Sequence, residues 1–436
     1  MWKLQTLLYS FLIPKEFTIE VGPLFLSPYR LLLIIFASWV IKKLIFERNF
    51  RWQALDSVAL MVCIWPTISL IINTDIFSAI ESGGILFLET FVPFFLTRLT
   101  IYNHEKLVSI SKTLLIVASI MAALAIPEAI TGQPFTHNIA SLITGNTFSP
   151  DLEIRMGIWR AYGPTDHPIV LGSICAAALP IGFAIFRRKQ LFAGLTSLSF
   201  IGVIASASSG PILAVVAQAS LYVWSVITRG KSHKWWLLIF LVFLMYAFID
   251  IASNRDPLRV MFSYFLFSEH NGYIRYNMWS NGFFLAGQSI QSFLVGYGFS
   301  TEMTSLLENL FWSRLMASSV DSYWLVILLR YGAPMLFLNS LAIVLTLKSN
   351  LKNYQACKSR KEKNLNKAWF ITTISLSLVG CTVHFWGSTV SLFFIILATS
   401  AMRKSSNRQR RKKRSNSIIK PFRDRRSSLP TTTHSK

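Results

Sequence analysis

Long apolar runs separated by short polar connections set the pattern of this chain. A bilayer core takes about 20 predominantly apolar residues of helix. By that measure spans fall near 29–46, 54–72, 79–101, 106–130, 167–186, 190–208, 210–228, 234–252, 320–347, 368–384 and 386–402. The last two come from one apolar stretch broken near His384–Gly387. Residues 4–13 are apolar but too short to cross alone and read as a re-entrant or interfacial piece, so the count is 11 or 12. The pattern predicts an all-α, polytopic integral membrane protein. Its parts are an N-terminal bundle (1–252), a large outer connection (253–319) with amphipathic helices, C-terminal helices (320–402) and a basic, disordered tail (403–436).

Composition agrees. The 436 residues are 53% hydrophobic and only 14% charged, against about 25% charged in soluble domains. A soluble enzyme, a disordered chain and a secreted disulfide scaffold are excluded. Cys63, Cys175 and Cys381 lie in apolar spans and Cys357 in a Lys-rich loop, so all four read as free thiols. No cleaved signal peptide is expected.

The net charge of +23 is unevenly spread: residues 402–436 hold 13 basic residues against Asp424 alone. The run Arg408–Arg414 directly follows a span and is suited to anionic lipid headgroups rather than nucleic acid. Elsewhere, alternate connections are basic: Lys42, Lys43, Arg48 and Arg51; Arg98 and Lys106; Arg187, Arg188 and Lys189; Arg229, Lys231 and Lys234; Lys348 through Lys367. The intervening ones, 73–78, 131–166, 253–319 and 384–388, are poor in Lys. Positive residues gather on the cytoplasmic side, which puts the C-terminus inside and the two large connections outside. No internal repeat is visible, which weakens an inverted-repeat transporter reading.

Candidate chemistry lies in those outer connections, whose basic residues are all arginine: Arg155 and Arg160 in the first, Arg255, Arg259, Arg275 and Arg314 in the second. Arginine binds phosphate or carboxylate as a fork, and a lipid-linked diphosphate at the outer leaflet is one such anion. The plainer reading pairs these arginines with Asp151, Glu153, Asp256 or Glu269; for Arg160 and Arg275 the functional reading is preferred. Tyr273, Tyr276, Trp279 and Phe283 share one helical face beside Arg275, which reads as an amphipathic helix on the outer leaflet or roofing a cavity. Glu89, Lys112 and Arg330 fall inside apolar runs, where charges are costly and usually paired. Glu89 is expected to pair with Lys112 or Arg330, the alternative being a lining of the substrate cavity.

Four stretches carry a family likeness: Arg160-Ala-Tyr-Gly-Pro-Thr-Asp-His-Pro-Ile-Val-Leu-Gly; Ala205-Ser-Ala-Ser-Ser-Gly-Pro; Arg275-Tyr-Asn-Met-Trp leading to Val295-Gly-Tyr-Gly; and Val320-Asp-Ser-Tyr-Trp-Leu followed by Arg330-Tyr-Gly-Ala. In their order and placement they resemble the bacterial O-antigen polymerase and ligase superfamily, which includes exopolysaccharide polymerases. The resemblance implies an inner-membrane glycosyltransferase acting at the periplasmic face on a polyprenyl-diphosphate-linked glycan donor and acceptor, without metal or other cofactor. A chain-length regulator protein is an implied partner. Arg160 and Arg275 match the outer arginines thought to hold the diphosphate. Asp321, at the mouth of a span, is the candidate base; Asp166 and His167 are its rivals, and each could equally be a cap or pairing residue. Gly296 and Gly298 would allow a tight turn near the substrate. Arg155, Arg255, Arg259 and Arg314 complete the candidate substrate-binding set. The small-residue link Ser206–Gly210 reads as close helix packing or as a tight turn beside the cavity; it lacks the arginine often found there in the family. Ligases of the family carry a His-Asn pair before the ninth-span motif. Here Ala317-Ser-Ser-Val-Asp-Ser-Tyr has none, and His270-Asn271 lies too early, which favours polymerase over ligase.

Overall fold

The computed structural model describes residues 1–22, 24–47, 50–185, 190–229, 233–252, 256–257, 259–260, 269–299 and 320–401. Arg255, Arg314, Arg48, Arg187, Arg188, Lys189, Lys231 and the basic tail lie outside the described residues.

The chain is all-helical apart from two short antiparallel hairpins among the described residues, Ile19–Val21 with Leu24–Leu26 and Ile154–Arg155 with Ile158–Trp159. In chain order the helices are α1 (Trp2–Tyr9), α2 (Pro28–Phe46), α3 (Ala54–Asn73), α4 (Ile76–Thr100), α5 (His104–Thr131), α6 (Phe135–Thr144), α7 (Pro168–Ile185) and α8 (Gln190–Ala205). They continue as α9 (Ser209–Ile227), α10 (Lys234–Ala252), α11 (Glu269–Ala286), α12 (Ile290–Val295), α13 (Tyr323–Ala356), α14 (Arg360–Thr382) and α15 (Ser388–Thr399). Each of the eleven apolar stretches is therefore a helix. Among the described residues seven, α3, α4, α5, α7, α9, α10 and α13, are long and apolar enough to cross a membrane. The expected 11 or 12 spans exceed that number. α8 and α15 are apolar but shorter, and α2 and α14 carry charged residues at their ends.

Local chemistry sets the ends. Asn103 and Asp75 cap α5 and α4 by accepting the amides of Lys106 and Ser78, each at 2.9 Å. Gln53 and Asp56 form a reciprocal box at the start of α3, and Gly132 ends α5 in the left-handed region.

One buried core runs from Leu4 to Ala401. α13 packs on α3 and α14, α14 on α7 and α9, and α15 on α4, so segments 1–252 and 320–402 share a core. The apolar piece at 4–13 lies along α5 instead of folding back: Gln5 donates to Thr113 (3.1 Å), and Glu16 reaches His137 beyond the far end of α5 (2.6 Å). α10 differs from all other long helices in having no buried residue.

The helices alternate in direction and define two ends. At one, the start of α3, the end of α4 and the residue after α15 meet: Arg98 holds Asp56 with Nε and Nη2 (2.5 and 2.6 Å) and donates to the Ala401 carbonyl (2.8 Å). The other end gathers the starts of α7, α9, α13 and α15 and the ends of α5, α8 and α14.

Candidate functional site

The loop that carries Arg160 is fastened to this second end by buried polar contacts. The Glu128 carboxylate, near the end of α5, accepts the amides of Tyr162 (3.0 Å) and Gly163 (2.8 Å). His137, held by Glu16, faces the Thr165 carbonyl at 3.0 Å, and the Ala161 amide donates to Ala205 O at the end of α8 (3.0 Å). Gly163 has φ +57 and an added Cβ would lie 3.2 Å from Met121 O, so a side chain there is strained. A backbone satisfied at so many points has little freedom.

Arg160 itself is largely buried, its side chain 10% exposed. Nη1 donates to Glu153 Oε2 (2.9 Å), Nη2 to Ser208 Oγ (3.2 Å), and Nε is buried without an acceptor. Glu153 also accepts from Arg155 (2.6 Å) and is 45% exposed. The plainer reading of the sequence thus holds for Arg155 and in part for Arg160: both pair with Glu153. Burial pushes the Glu153 carboxyl up, but hydrogen bonds from both arginines outweigh it and leave it below its ordinary value. Burial, with Arg155 nearby, lowers the Arg160 guanidinium.

Arg275 arrives on α11 and donates to the Thr382 carbonyl at the end of α14. It feels the charges of Asp321 and Arg155, while burial lowers it. Trp279, one turn along, donates to the Cys381 carbonyl (3.2 Å). Of the aromatic stripe, Trp279 packs inward while Tyr273 and Phe283 are exposed. The packed face is Arg275, Met278, Trp279, Gly282 and Leu285. A Cβ at Gly282 would meet Leu325 of α13 at 2.5 Å, so the small residue decides which face approaches.

Asp321 sits two residues before α13 and acts electrostatically on both Arg275 and His167. His167 stacks on Trp386 (centroids 4.9 Å), and its Nδ1 accepts the Ile169 amide (3.2 Å). Burial and then the Arg160 charge push it down to about 4. It is neutral at physiological pH with one nitrogen already occupied, a cap rather than a base. Asp166 is exposed and lines a cavity of about 290 Å³ with Thr165, Arg30 and Trp386. Arg155, Arg160, His167, Arg275 and Asp321 are thus brought to one end of the bundle.

The remaining candidates stand elsewhere. Arg259 lies over Tyr273 (5.1 Å) on the exposed side of α11. Gly296 and Gly298 do turn sharply (φ +70 and +62), but against α13: the amides of Tyr297 and Gly298 donate to the carbonyls of Leu329 (2.8 Å) and Arg330 (3.0 Å). Those carbonyls are free because α13 breaks at Gly332 (φ 79). Ser206–Gly210 is close helix packing, since a Cβ at Gly210 would meet Val383 at 2.5 Å, yet Ser208 also accepts from Arg160. Glu89 pairs with neither Lys112 nor Arg330. Its partners are Arg30 (2.9 Å) and the Tyr29 hydroxyl, because the start of α2 lies against the middle of α4.

No family model and no curated protein matches the chain. A cavity of about 530 Å³ lies between α7, α9 and α14 with apolar walls around Leu179, Phe183 and Tyr222. It brings no catalytic set together.

Proposed function

We propose that the chain is a membrane glycosyltransferase that polymerises polyprenyl-diphosphate-linked repeat units of a surface polysaccharide. The observation that carries this reading is the gathering of Arg155, Arg160, Arg275 and Asp321 at one end of an apolar helical bundle, on connections without lysine. The lysine-rich end then faces the cytosol and the arginine end the periplasm of a bacterial inner membrane.

In this reading Arg160 and Arg275 hold the diphosphate, Arg160 with the Nη1 and Nη2 hydrogens not taken by Glu153 and Ser208. Charge develops on the diphosphate as its bond to the anomeric carbon breaks, and two fixed guanidinium groups stabilise it without reorganising. The acceptor sugar hydroxyl forms the new bond to that carbon. Its proton passes to Asp321, the acidic group set between Arg275 and His167. Support for Asp321 over His167 is geometric: the His167 Nδ1 already accepts the Ile169 amide, and its ring packs against Trp386.

The test is the purified chain in liposomes with polyprenyl-diphosphate-linked repeat units. A ladder growing by whole repeats, with release of the polyprenyl diphosphate, is expected. Transfer to a lipid acceptor alone would make it a ligase, and glycan movement without a new glycosidic bond a transporter.

A further inference from the structure

Arg330, eight residues into α13, carries a charge that meets no counter-charge among the described residues. Its guanidinium lies 4.5 Å from the Phe299 ring centroid, Tyr331 is its polar neighbour, and its Nε is buried without an acceptor. Arginine stays protonated, and burying an unpaired ion is costly.

The guanidinium lines a cavity of about 260 Å³ enclosed by α2, α4, α13 and the 384–387 hinge. Two further polar atoms on its lining residues are buried and unpartnered: the Tyr323 hydroxyl and His384 Nδ1. The other ionised groups on the lining, Arg30 and Glu89, neutralise each other at 2.9 Å. His384 adds no charge, since burial and the Arg330 charge push it down to about 4. Among the described residues, those that line the cavity carry one charge without an ion-pair partner and two hydrogen-bonding atoms without partners.

Its size narrows the ligand. About 260 Å³ falls just under the roughly 300–1,000 Å³ of sites for drug-sized molecules, which suits one sugar-sized group. The cavity shares Arg30, Trp386 and Gly387 as a wall with the one that Asp166 lines. A saccharide reaching Asp166 could place an adjoining residue against Arg330.

We propose that this cavity binds the oxyanion of an acidic sugar, Arg330 supplying the charge and Tyr323 and His384 the hydrogen bonds. That the oxyanion is carried on a sugar rests on the glycosyltransferase reading; the binding of an oxyanion does not. A carboxylate and a phosphoryl group share this chemistry.

The experiment is calorimetric titration of the purified full-length chain in detergent, in an Arg160→Ala/Arg275→Ala background that removes the diphosphate clamp. The probes are sodium glucuronate, inorganic phosphate and neutral glucose. Saturable binding of at least one anion and none of glucose is expected. Arg330→Gln should weaken that anion tenfold or more. Tyr323→Phe, which deletes only an unpartnered hydroxyl, should weaken it several-fold while leaving folding intact. Preference for glucuronate assigns a carboxylated sugar, and preference for phosphate a phosphorylated one. No saturable anion binding, or equal affinity in both variants, overturns the proposal. Anion binding through Arg330 in a chain that never lengthens a glycan would refute only the polymerase reading.

Discussion

Two buried arginines at opposite ends of the bundle show what pairing does and does not accomplish. Arg98 meets a fully buried carboxylate with two of its nitrogens, adds the Ala401 carbonyl, and covers the Phe50 ring at 5.2 Å. Arg160, at the other end, shares a half-exposed carboxylate with Arg155, leans on a serine hydroxyl, and leaves Nε unused. Arg98 is consumed by the fold. Arg160 is held in place with hydrogens on Nη1 and Nη2 to spare, and Arg275, among the described residues, donates to one backbone carbonyl beside the Asp321 charge. On the proposed function, this difference is what distinguishes a ligand-facing arginine from a structural one.

The comparison breaks most severely at Asp56. Asp56→Ala leaves the Arg98 charge buried without a partner, an effect of about 3–5 kcal/mol, visible as a large fall in the thermal midpoint of the purified protein. A midpoint within a degree of wild type would show that Arg98 finds water or another acceptor.

Glu128→Gln tests the loop beneath Arg160. One of two buried amides loses its acceptor, at about 1–3 kcal/mol, and Arg160 loses its fixed position. Glycan lengthening should therefore fall more than stability does, and an active, merely less stable variant would make the cradle purely structural.

Acid should act on the site end through His167 and His384, each pushed down to about 4 from an ordinary value of about 6.5. The folded state disfavours their protonation, so the stability they supply is complete above about pH 6.5 and is lost as the pH falls toward 4. In unfolding curves recorded between pH 7 and 4, His167→Asn should flatten that decline; an unaltered slope would mean that the ring is hydrated.

The smallest effect on stability is expected for Arg160→Ala. A pair with an exposed carboxylate contributes about 0–1 kcal/mol, so its thermal midpoint should stay close to wild type. A drop as large as that of Asp56→Ala would erase the distinction between the two ends.

Much of this was legible in the chain and some was not, for physical reasons. The eleven apolar stretches appear as helices because a run of apolar residues bounded by caps such as Asn103 and Gly132 is a local property. Pairing is not local. Glu89 meets Arg30 across 59 residues and Glu128 meets Tyr162 across 34, and no spacing rule connects them. The packed face of α11 follows Gly282, where the absence of a side chain sets the approach to α13 and which no hydrophobic pattern marks. Gly296 and Gly298 were recognised as turn residues, but the break in α13 that they brace lies at Gly332, and its local signals, the glycine and Pro334 two residues on, do not say what it packs against. Arg155, Arg160, Arg275 and Asp321 were picked out by charge type and placement, and all four lie at one end of the bundle. Arg30 and His384, which complete the neighbouring cavity, were passed over as a helix start and a hinge.

The most direct trial of the central claim is the length of glycan made by Arg160→Ala/Arg275→Ala, loaded at equal amounts of folded protein beside wild type with lipid-linked repeat units. Wild type should give a ladder of long products and the double variant none beyond a single repeat. Wild-type lengths from a folded double variant would contradict the claim that these two side chains serve a ligand.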